Sequence, residues 1–148
     1  MAEYQDPLQS FRFRLDLGEK AVGFFTECSG LGSESEVVEH KYVDDKGNEH
    51  VGKTPGRLKW QEISLKRPIT SAVDLWDWQK EVDEGQLSGA RINGSIIMLS
   101  MMGDPVAQWD FDRGWIKKIE GPQMKSDSNE VTKEGITIVH EGLWRVPV

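Results

Sequence analysis

The sequence predicts a mainly β domain with one helix, and three features support this class. Residues 11–17 alternate strictly between apolar and charged side chains, which is the pattern of a strand with one buried face. Fifteen Gly and six Pro among 148 residues suit many short strands joined by turns. Residues 72–84 are the one segment with a convincing helical period.

Length and composition indicate a single domain over residues 1–148. A hydrophobic content of 37% with six Trp argues against disorder. The net charge of −7, with basic residues scattered among acids, argues against specific nucleic-acid binding and is most simply a solubility feature. One cysteine, Cys28, allows no internal disulfide and fits a reducing compartment. The first residues lack the features of a secretory signal, and no apolar run approaches the length of a membrane span.

Three strands are predicted in the first third of the chain. In the first strand one face is apolar and comprises Phe11, Phe13, Leu15 and Leu17. The other face is charged and comprises Arg12, Arg14 and Asp16. Residues 18–23 are predicted to turn into a second strand at 24–28, and residues 29–33 to break it. Residues 34–43 are acidic and β-branched, which predicts the third strand.

An extended polar loop is predicted over residues 44–57. Residues 44–50 are polar, and Pro55 and Gly56 are typical of a turn. A connection of about fourteen residues is long for a hairpin, so we expect it to be either mobile or used for contact.

The strand predicted after this loop changes phase. Leu58 and Trp60 share one phase of the two-residue period, and Ile63 and Leu65 share the other. This predicts either a bulged edge strand or a strand whose two ends meet different surroundings.

The helix predicted at 72–84 has clear signals at both ends. Ser71 and Asp74 have the spacing of a capping box, and Gly85 is placed to end the helix. The face expected to dock on the sheet comprises Leu75, Trp78, Gln79 and Val82, widened by Trp76.

The second half is predicted to return to strands. Residues 95–102 are apolar on both faces, which indicates a central strand. Residues 106–112 alternate, a short strand begins at 114, and residues 121–122 break it. Residues 130–146 are predicted to be a final long strand with kinks at Gly135 and Gly142.

No catalytic, metal or cofactor site is predicted. Cys28 and His140 lack a third group to orient them as nucleophile and base. Residues 44–50 have their glycine at the fourth position and lack the closing Glu of a calcium loop. The three histidines lack metal-ligand spacing. A face formed by the tryptophans at 109, 115 and 144 leaves a ligand-binding β-barrel open as an alternative, although packing is the simpler explanation.

A family resemblance runs in order through nearly the whole chain. In the first half it rests on Asp-Pro-Leu at 6–8, Phe-Arg-Phe at 11–13, Phe-Thr-Glu-Cys-Ser-Gly-Leu at 25–31, Glu-Val at 36–37, Pro-Gly at 55–56 and Ile-Ser-Leu-Lys-Arg at 63–67. In the second half it rests on Leu-Trp-Asp-Trp at 75–78, Gly-Ser-Ile at 94–96, Asn-Glu-Val at 129–131 and His-Glu-Gly-Leu at 140–143. These segments resemble the tail tube proteins of contractile phage tails and the inner-tube subunits of phage-derived contractile injection systems. The chain departs from the pattern at 43–46, where many members have a glycine-rich tip, and at Thr54, where many have Leu.

The resemblance implies an antiparallel β-sandwich or barrel with one flanking helix, a fold shared by the secreted hexamers of type VI systems. It implies a structural subunit without cofactors: six copies form a ring, and rings stack into a hollow tube that a contracting sheath drives through a target membrane. The implied partners are other copies of the chain, the sheath protein, baseplate and tube-initiator proteins, and cargo or DNA in the lumen. Assembly in the bacterial cytoplasm is implied, as part of a virion tail or an injection particle. A tube-initiator or baseplate protein of the same fold is the alternative within the resemblance.

Two sets of side chains are predicted to lie between subunits. The first set is on the predicted loop and comprises Asp44, Asp45, Lys46, Asn48, Glu49 and His50. The second set is Arg12 and Arg14, which point away from the core face of the first strand. They either line the lumen or pair with carboxylates of a neighbour, for which the candidates are Glu34, Glu36 and Glu39. The overall excess of acidic residues favours the interface.

Overall fold

The computed structural model describes residues 11–18, 22–69, 73–85, 91–121 and 132–148. This part of the chain is mostly β with one short helix, which confirms the predicted class. In chain order the elements are β1 (Arg12–Asp16), β2 (Val22–Phe25), β3 (Glu27–Ser29), β4 (Ser33–Val43), β5 (Glu49–Trp60), β6 (Ile63–Pro68), α1 (Asp74–Asp83), β7 (Ile92–Leu99), β8 (Pro105–Glu120), β9 (Lys133–Val139) and β10 (Gly142–Val146).

Eight strands form one antiparallel sheet that curls into a barrel. Its strand order is β2-β1-β7-β8-β9-β6-β3, with β10 paired to β8. The two ends of this order, β2 and β3, are consecutive in the chain and are separated by Thr26 alone. The N–H of Thr26 donates to the carbonyl of Lys66 at 2.9 Å, beside the β3–β6 pairing. One short segment therefore joins both ends of the sheet, as barrel closure requires.

β8 runs through both halves of the barrel. Residues 105–114 pair with β7, and residues 115–120 pair with β9. Between these parts, Arg113 has a positive φ of 51° and marks a local bend. The next residue is Gly114, where a Cβ would lie 2.4 Å from the Phe111 ring, so the position has no room for a side chain. The separate strand predicted from 114 is wrong, since the backbone bends here without ending the strand.

The core lies inside the barrel and largely follows the predicted pattern. Leu15 of β1 and Leu17 just after it are 1% and 2% exposed, and Phe13 packs against the same cluster. On β7, Ile96 and Ile97 point to opposite faces and are both buried, which confirms a central strand between β1 and β8. The long final strand predicted at 130–146 is wrong, because β9 ends at Val139 and β10 begins at Gly142.

Helix α1 lies inside the predicted range. Leu75 and Trp78 are buried in the core, whereas Trp76 is 44% exposed. Gly85, with φ of 79°, ends the helix and donates its N–H to the carbonyl of Val82 at 3.1 Å. The N-cap is Val73, without a side-chain cap; Ser71 of the predicted capping box lies outside the described residues.

The largest difference from the prediction lies at 44–57. Only residues 44–48 form a turn, because β5 begins at Glu49 and pairs with β4 along its length. Pro55 lies opposite Val37, next to a register shift between Ser35 and Val37, and such irregular positions tolerate a residue without an N–H. The Pro-Gly pair therefore marks a bulge inside a long strand rather than a loop.

The predicted change of phase between Trp60 and Ile63 has a structural counterpart. β5 ends at Trp60, and Gln61 and Glu62 connect it to β6. β5 belongs to a separate two-stranded sheet, whereas β6 belongs to the barrel. The sequence offered two explanations for the change of phase. The structure supports the second, in which the two ends of the segment lie in different surroundings. No helix in the described ranges is long and apolar enough to cross a membrane.

Candidate functional site

The main surface feature is a two-stranded hairpin that projects from the barrel, which we call the arm (residues 33–60). Within the described chain its strands, β4 and β5, pair with each other and with no barrel strand. Their pairing runs from Ser33–Trp60 at the base to Val43–Glu49 at the tip. At about 3.3 Å per residue the arm is about 35 Å long. Every residue of β4 is exposed, so both faces of the arm meet solvent.

The arm carries apolar side chains that nothing in the described chain covers. Those at least half exposed are Val37, Val38, Tyr42, Val43, Val51 and Leu58. An isolated two-stranded hairpin is marginally stable in water, and exposed strand edges are sites where another chain can pair. The composition and exposure of the arm are therefore those of a contact surface.

The two faces of the arm differ in chemistry. The strand register places Val37, Val43 and Val51 on one face, where Glu39 lies directly opposite Lys53. The other face carries Val38 and a cluster of rings, in which Tyr42 lies 6.0 Å from His40 and stacks on His50 at 5.3 Å. A partner that covers the first face must accommodate apolar groups together with both signs of charge.

The tip of the arm is an ordered turn built on Asp44. Its Oδ1 accepts the N–H groups of Lys46 and Asn48, each at 2.9 Å, and its Oδ2 lies 2.7 Å from Nε2 of His50. The bond to His50 and these backbone bonds lower the pKa of Asp44. Gly47 supplies the positive φ of 80° that the turn requires.

The structure gathers the predicted loop residues at this tip. Asp44 and His50 bond to each other, while the remaining members present exposed side chains to solvent: Asp45, Lys46, Asn48 and Glu49.

The root of the arm, residues 30–32 and 61–62, is where the chain enters and leaves it. A Cβ on Gly30, which has φ of 83°, would lie 1.9 Å from the carbonyl oxygen of Glu62, so the two segments approach more closely than a side chain permits. The N–H of Gln61 donates to the carbonyl of Gly32 at 3.1 Å. Lys117 of β8 pairs with the carboxylate of Glu62 at 2.6 Å. The root is thus tightly held although the arm beyond it is exposed.

His140 of the barrel contacts this root, a role that sequence reasoning missed. Its Nε2 lies 3.2 Å from the carbonyl oxygen of Gln61, and its ring lies 5.8 Å from that of Trp60. Burial lowers the pKa of His140, while backbone groups of Gln61 and Gly142 act in the opposite direction. The sequence carries no signal for this contact, because residues 61 and 140 are far apart in the chain.

Arg12 and Arg14 lie on the barrel wall, on the face of β1 opposite Leu15. Arg14 is flanked by Phe24 of β2 and Ile97 of β7. Its Nε is shielded from solvent and has no hydrogen-bond partner among the described residues. No ion pair in the described chain joins either arginine to the glutamates of β4. Within one subunit the structure does not bring these predicted partners together.

The other combinations considered in the sequence do not form sites. Burial raises the pKa of the Cys28 thiol to about 12, so it is protonated at neutral pH and a poor nucleophile. Trp109 of β8 pairs with Arg145 of β10, and Trp144 pairs with the next residue, Asp110. The two tryptophans therefore lie on different faces of the sheet and do not line one groove. Among the described residues no group of three or more His, Cys, Asp or Glu could hold a metal ion.

Comparison with known proteins identifies one family. The family model of the T4-like virus tail tube protein gp19 matches residues 9–144. None of the curated proteins matches the chain.

Several solved structures share the fold at low identity. The anti-feeding prophage cap, a tube terminating cap, is 21% identical with a TM-score of 0.74, covering 100% of this chain and 95% of its own. A chain of the PVC sheath-tube complex, from an extracellular contractile injection system in the extended state, is 22% identical with a TM-score of 0.75. The match covers 99% of this chain and 94% of that chain. Hcp1 from Flavobacterium johnsoniae is 12% identical with a TM-score of 0.54, and the match covers 90% of this chain and 94% of Hcp1. The shared fold confirms the predicted fold class, a mainly antiparallel β domain with one helix.

Proposed function

The chain belongs to the T4-like virus tail tube protein gp19 family and is a structural subunit of an inner tube; we propose that six copies form a ring and that rings stack into a hollow tube. The observation that carries this proposal is the arm, whose two faces are exposed and partly apolar. A surface of this kind suits a subunit that is completed by its neighbours.

Burial of the arm against other copies would supply a substantial association energy. Fully burying an aliphatic side chain contributes about 1.5–3 kcal/mol. Its six large apolar side chains are 50–63% exposed, so covering them would contribute on the order of 5 kcal/mol per subunit. That amount is repeated at every subunit of a ring, and the sum offsets the entropy lost on association.

The geometry of the arm favours a head-to-tail contact. The arm is a projection and the barrel wall is a different kind of surface, so an arm laid on a neighbouring barrel makes a heterologous interface. Such contacts generate rings when the rotation between copies closes, and filaments when it does not. In a tube of stacked rings, the contacts within each ring close, whereas the contacts between rings continue along the tube.

We propose the predicted contact residues as parts of this interface. The exposed side chain of Arg12 and the partly exposed side chain of Arg14 suit carboxylates of another copy. The glutamates of β4 are exposed and suit that role: Glu34, Glu36 and Glu39. At the tip, the proposed contacts are made by Asp44, Asp45, Lys46, Asn48, Glu49 and His50.

The wider assembly is proposed by analogy with the family. The tube lies inside a sheath whose contraction drives it through a target membrane, and it is bounded by baseplate and tube-initiator proteins. Cargo or DNA passes through the lumen, and we propose neither specific nucleic-acid binding nor catalysis. Assembly takes place in the bacterial cytoplasm, for a virion tail or an injection particle. The PVC neighbour, which comes from a sheath–tube complex, supports a sheath as partner.

Sedimentation velocity over micromolar concentrations tests the role of the arm. In the test variant, residues 40–52 are replaced by Asn-Gly, which retains the Glu39–Lys53 pair and closes a short hairpin. We expect the intact chain to form rings or larger species and the variant to remain a folded monomer by circular dichroism. An intact chain that stays monomeric, or a variant that assembles equally well, would overturn the proposal.

A further inference from the structure

His140 holds the arm at the point where it leaves the barrel. Its Nε2 lies 3.2 Å from the carbonyl oxygen of Gln61, and a carbonyl can only accept, so Nε2 carries the proton and donates. Its ring packs at 5.8 Å from Trp60, the last residue of β5, and at 6.3 Å from Phe111 of the barrel. The imidazole therefore lies between the arm and the barrel wall and bonds to one while packing on both.

The direction of the arm relative to the barrel is set at this root. Beyond it, β4 is exposed along its whole length, and β5 is exposed at nearly every residue before Trp60. At the root, the close approach of Gly30 to Glu62 and the bond from Gln61 to Gly32 fix the two segments to each other. Two barrel side chains bond the outgoing segment: His140 at Gln61, and Lys117 at the exposed carboxylate of Glu62.

We propose that His140 is a positioning residue, which fixes the direction of the arm while its imidazole is neutral and releases the arm when the imidazole is protonated. The effect on ring formation rests on the proposed function, whereas the effect on the direction of the arm in one subunit does not.

The site favours the neutral imidazole. Nδ1 is shielded from solvent and makes no hydrogen bond among the described residues, so a second proton would place charge in a desolvated position. The bond to Gln61 persists in the protonated form and the backbone of Gly142 also favours that form, but these two effects offset only part of the cost of burial. Burial accordingly lowers the pKa of His140. The contribution of His140 to the fixed direction of the arm is complete above the ordinary histidine pKa of about 6.5, where the imidazole is neutral. This contribution is lost as the pH falls from there through the lowered pKa of His140.

The charged groups around His140 are engaged elsewhere. Glu62 pairs with Lys117 at 2.6 Å, and Glu141 pairs with Arg113 at 3.0 Å. Asp112 bonds the N–H of Glu141 through its main-chain carbonyl, and no ion pair in the described chain joins its carboxylate to His140. None of the ion pairs in the described chain supplies a carboxylate to His140, so its protonated form has no ready counter-ion at the root.

The arm carries a histidine away from the root: His50 lies at the tip, 2.7 Å from the carboxylate of Asp44. Replacement of His50 by Gln serves as the matched control, because it removes an imidazole from the arm and leaves the root intact.

Single-molecule fluorescence energy transfer at picomolar concentration, where no rings persist, measures the direction of the arm. Dyes are placed at Lys46→Cys on the tip and Lys80→Cys on α1, in a Cys28→Ala background. We expect one narrow distance distribution at pH 8 and a broad or shifted one at pH 5, and His50→Gln should keep this transition. His140→Ala should be broad at both pH values. His140→Gln, which keeps a donor but cannot titrate in this range, should be narrow at both.

Equal distributions at pH 5 and pH 8, or a narrow distribution for folded His140→Ala at pH 8, would overturn the proposal. Should His140→Ala not fold, Trp60→Ala tests the same contact from the arm side and must broaden the distribution at pH 8.

A parallel sedimentation series tests the effect on assembly. The parent chain should lose its rings at pH 5, and His140→Gln should retain them. Equal loss in both would overturn the link between His140 and assembly. A parent chain without rings at pH 8 would contradict the proposed function instead, leaving the fluorescence result to decide the role of His140 on its own.

Discussion

Arg67 of β6 donates through Nε to the carboxylate of Glu134, its cross-strand partner in β9, at 2.7 Å. The two residues are 5% and 4% exposed, which is rare for charged side chains. Nη2 of Arg67 also donates to Asp74 at the start of α1 at 3.0 Å, and the guanidinium lies 5.3 Å from the Phe25 ring centroid. Burial opposes the charge on Arg67, but the bonds to Glu134 and Asp74 outweigh it and raise its pKa. This network joins the helix to the barrel wall.

Breaking this buried pair should destabilise the fold strongly. Arg67→Met leaves the Glu134 carboxylate buried without its partner, and we expect a loss of about 3–5 kcal/mol in the free energy of unfolding, measured by urea denaturation. Lys133→Met, which removes an exposed pair with Glu27 at 3.2 Å in the same strand, should cost about 0–1 kcal/mol. Arg67→Met with Glu134→Leu should recover part of the loss. Equal losses for the two single variants would contradict the importance of burial.

The two tryptophans of α1 should differ in their contribution to stability. Trp78 is 3% exposed and Trp76 is 44% exposed, although they lie two residues apart. Trp78→Ala should cost about 3–5 kcal/mol, and Trp76→Ala about 1 kcal/mol or less. Thermal melts of both variants measure the difference. Two unchanged melting temperatures would mean that the helix does not dock through this face.

The arm tip should lose its order in acid. The bonds that Asp44 accepts lower its pKa, so they persist above the ordinary aspartate value and are lost as the pH falls through the lowered one. NMR titration should show Asp44 titrating below ordinary aspartates, with the amide shifts of Lys46 and Asn48 following it. His50→Gln should move the pKa of Asp44 back towards its usual range. An Asp44 that titrates normally in the parent chain would contradict this geometry.

Charge reversal on β1 separates an interface from a lumen. If Arg12 and Arg14 pair with carboxylates of another copy, Arg12→Glu with Arg14→Glu should block ring formation or make it strongly dependent on salt. Lys80→Glu with Lys118→Glu makes the same change in net charge elsewhere and should assemble normally. Adding Glu34→Lys, Glu36→Lys and Glu39→Lys to the Arg variant should restore its rings. Normal rings at every salt concentration would place the two arginines in the lumen.

The parts of the fold that the sequence predicted depend on local pattern. The alternation in β1, the apolar run of β7 and the face of α1 each place buried residues by their period alone, and Leu15, Ile96 and Trp78 are buried as expected. Resemblance to tail tube proteins added the barrel, which no single segment indicates.

The arm could not be read from local pattern because the burial that normally reveals a strand is absent from it. Val51 and Thr54 are strand formers, but the exposed faces of β5 give no clear alternation, and Pro55 suggested a turn where there is a bulge. The contacts of His140 with Gln61 and of Arg67 with Glu134 join segments distant in sequence. Such pairs depend on the strand order of the barrel, which one sequence does not determine.

The most direct test of the account is cryo-electron microscopy of the assembled protein. We predict hollow tubes of stacked six-membered rings in which each arm, residues 33–60, is covered by other copies of the chain. Particles the size of one subunit at micromolar concentration, or rings whose arms project freely into solvent, would contradict it.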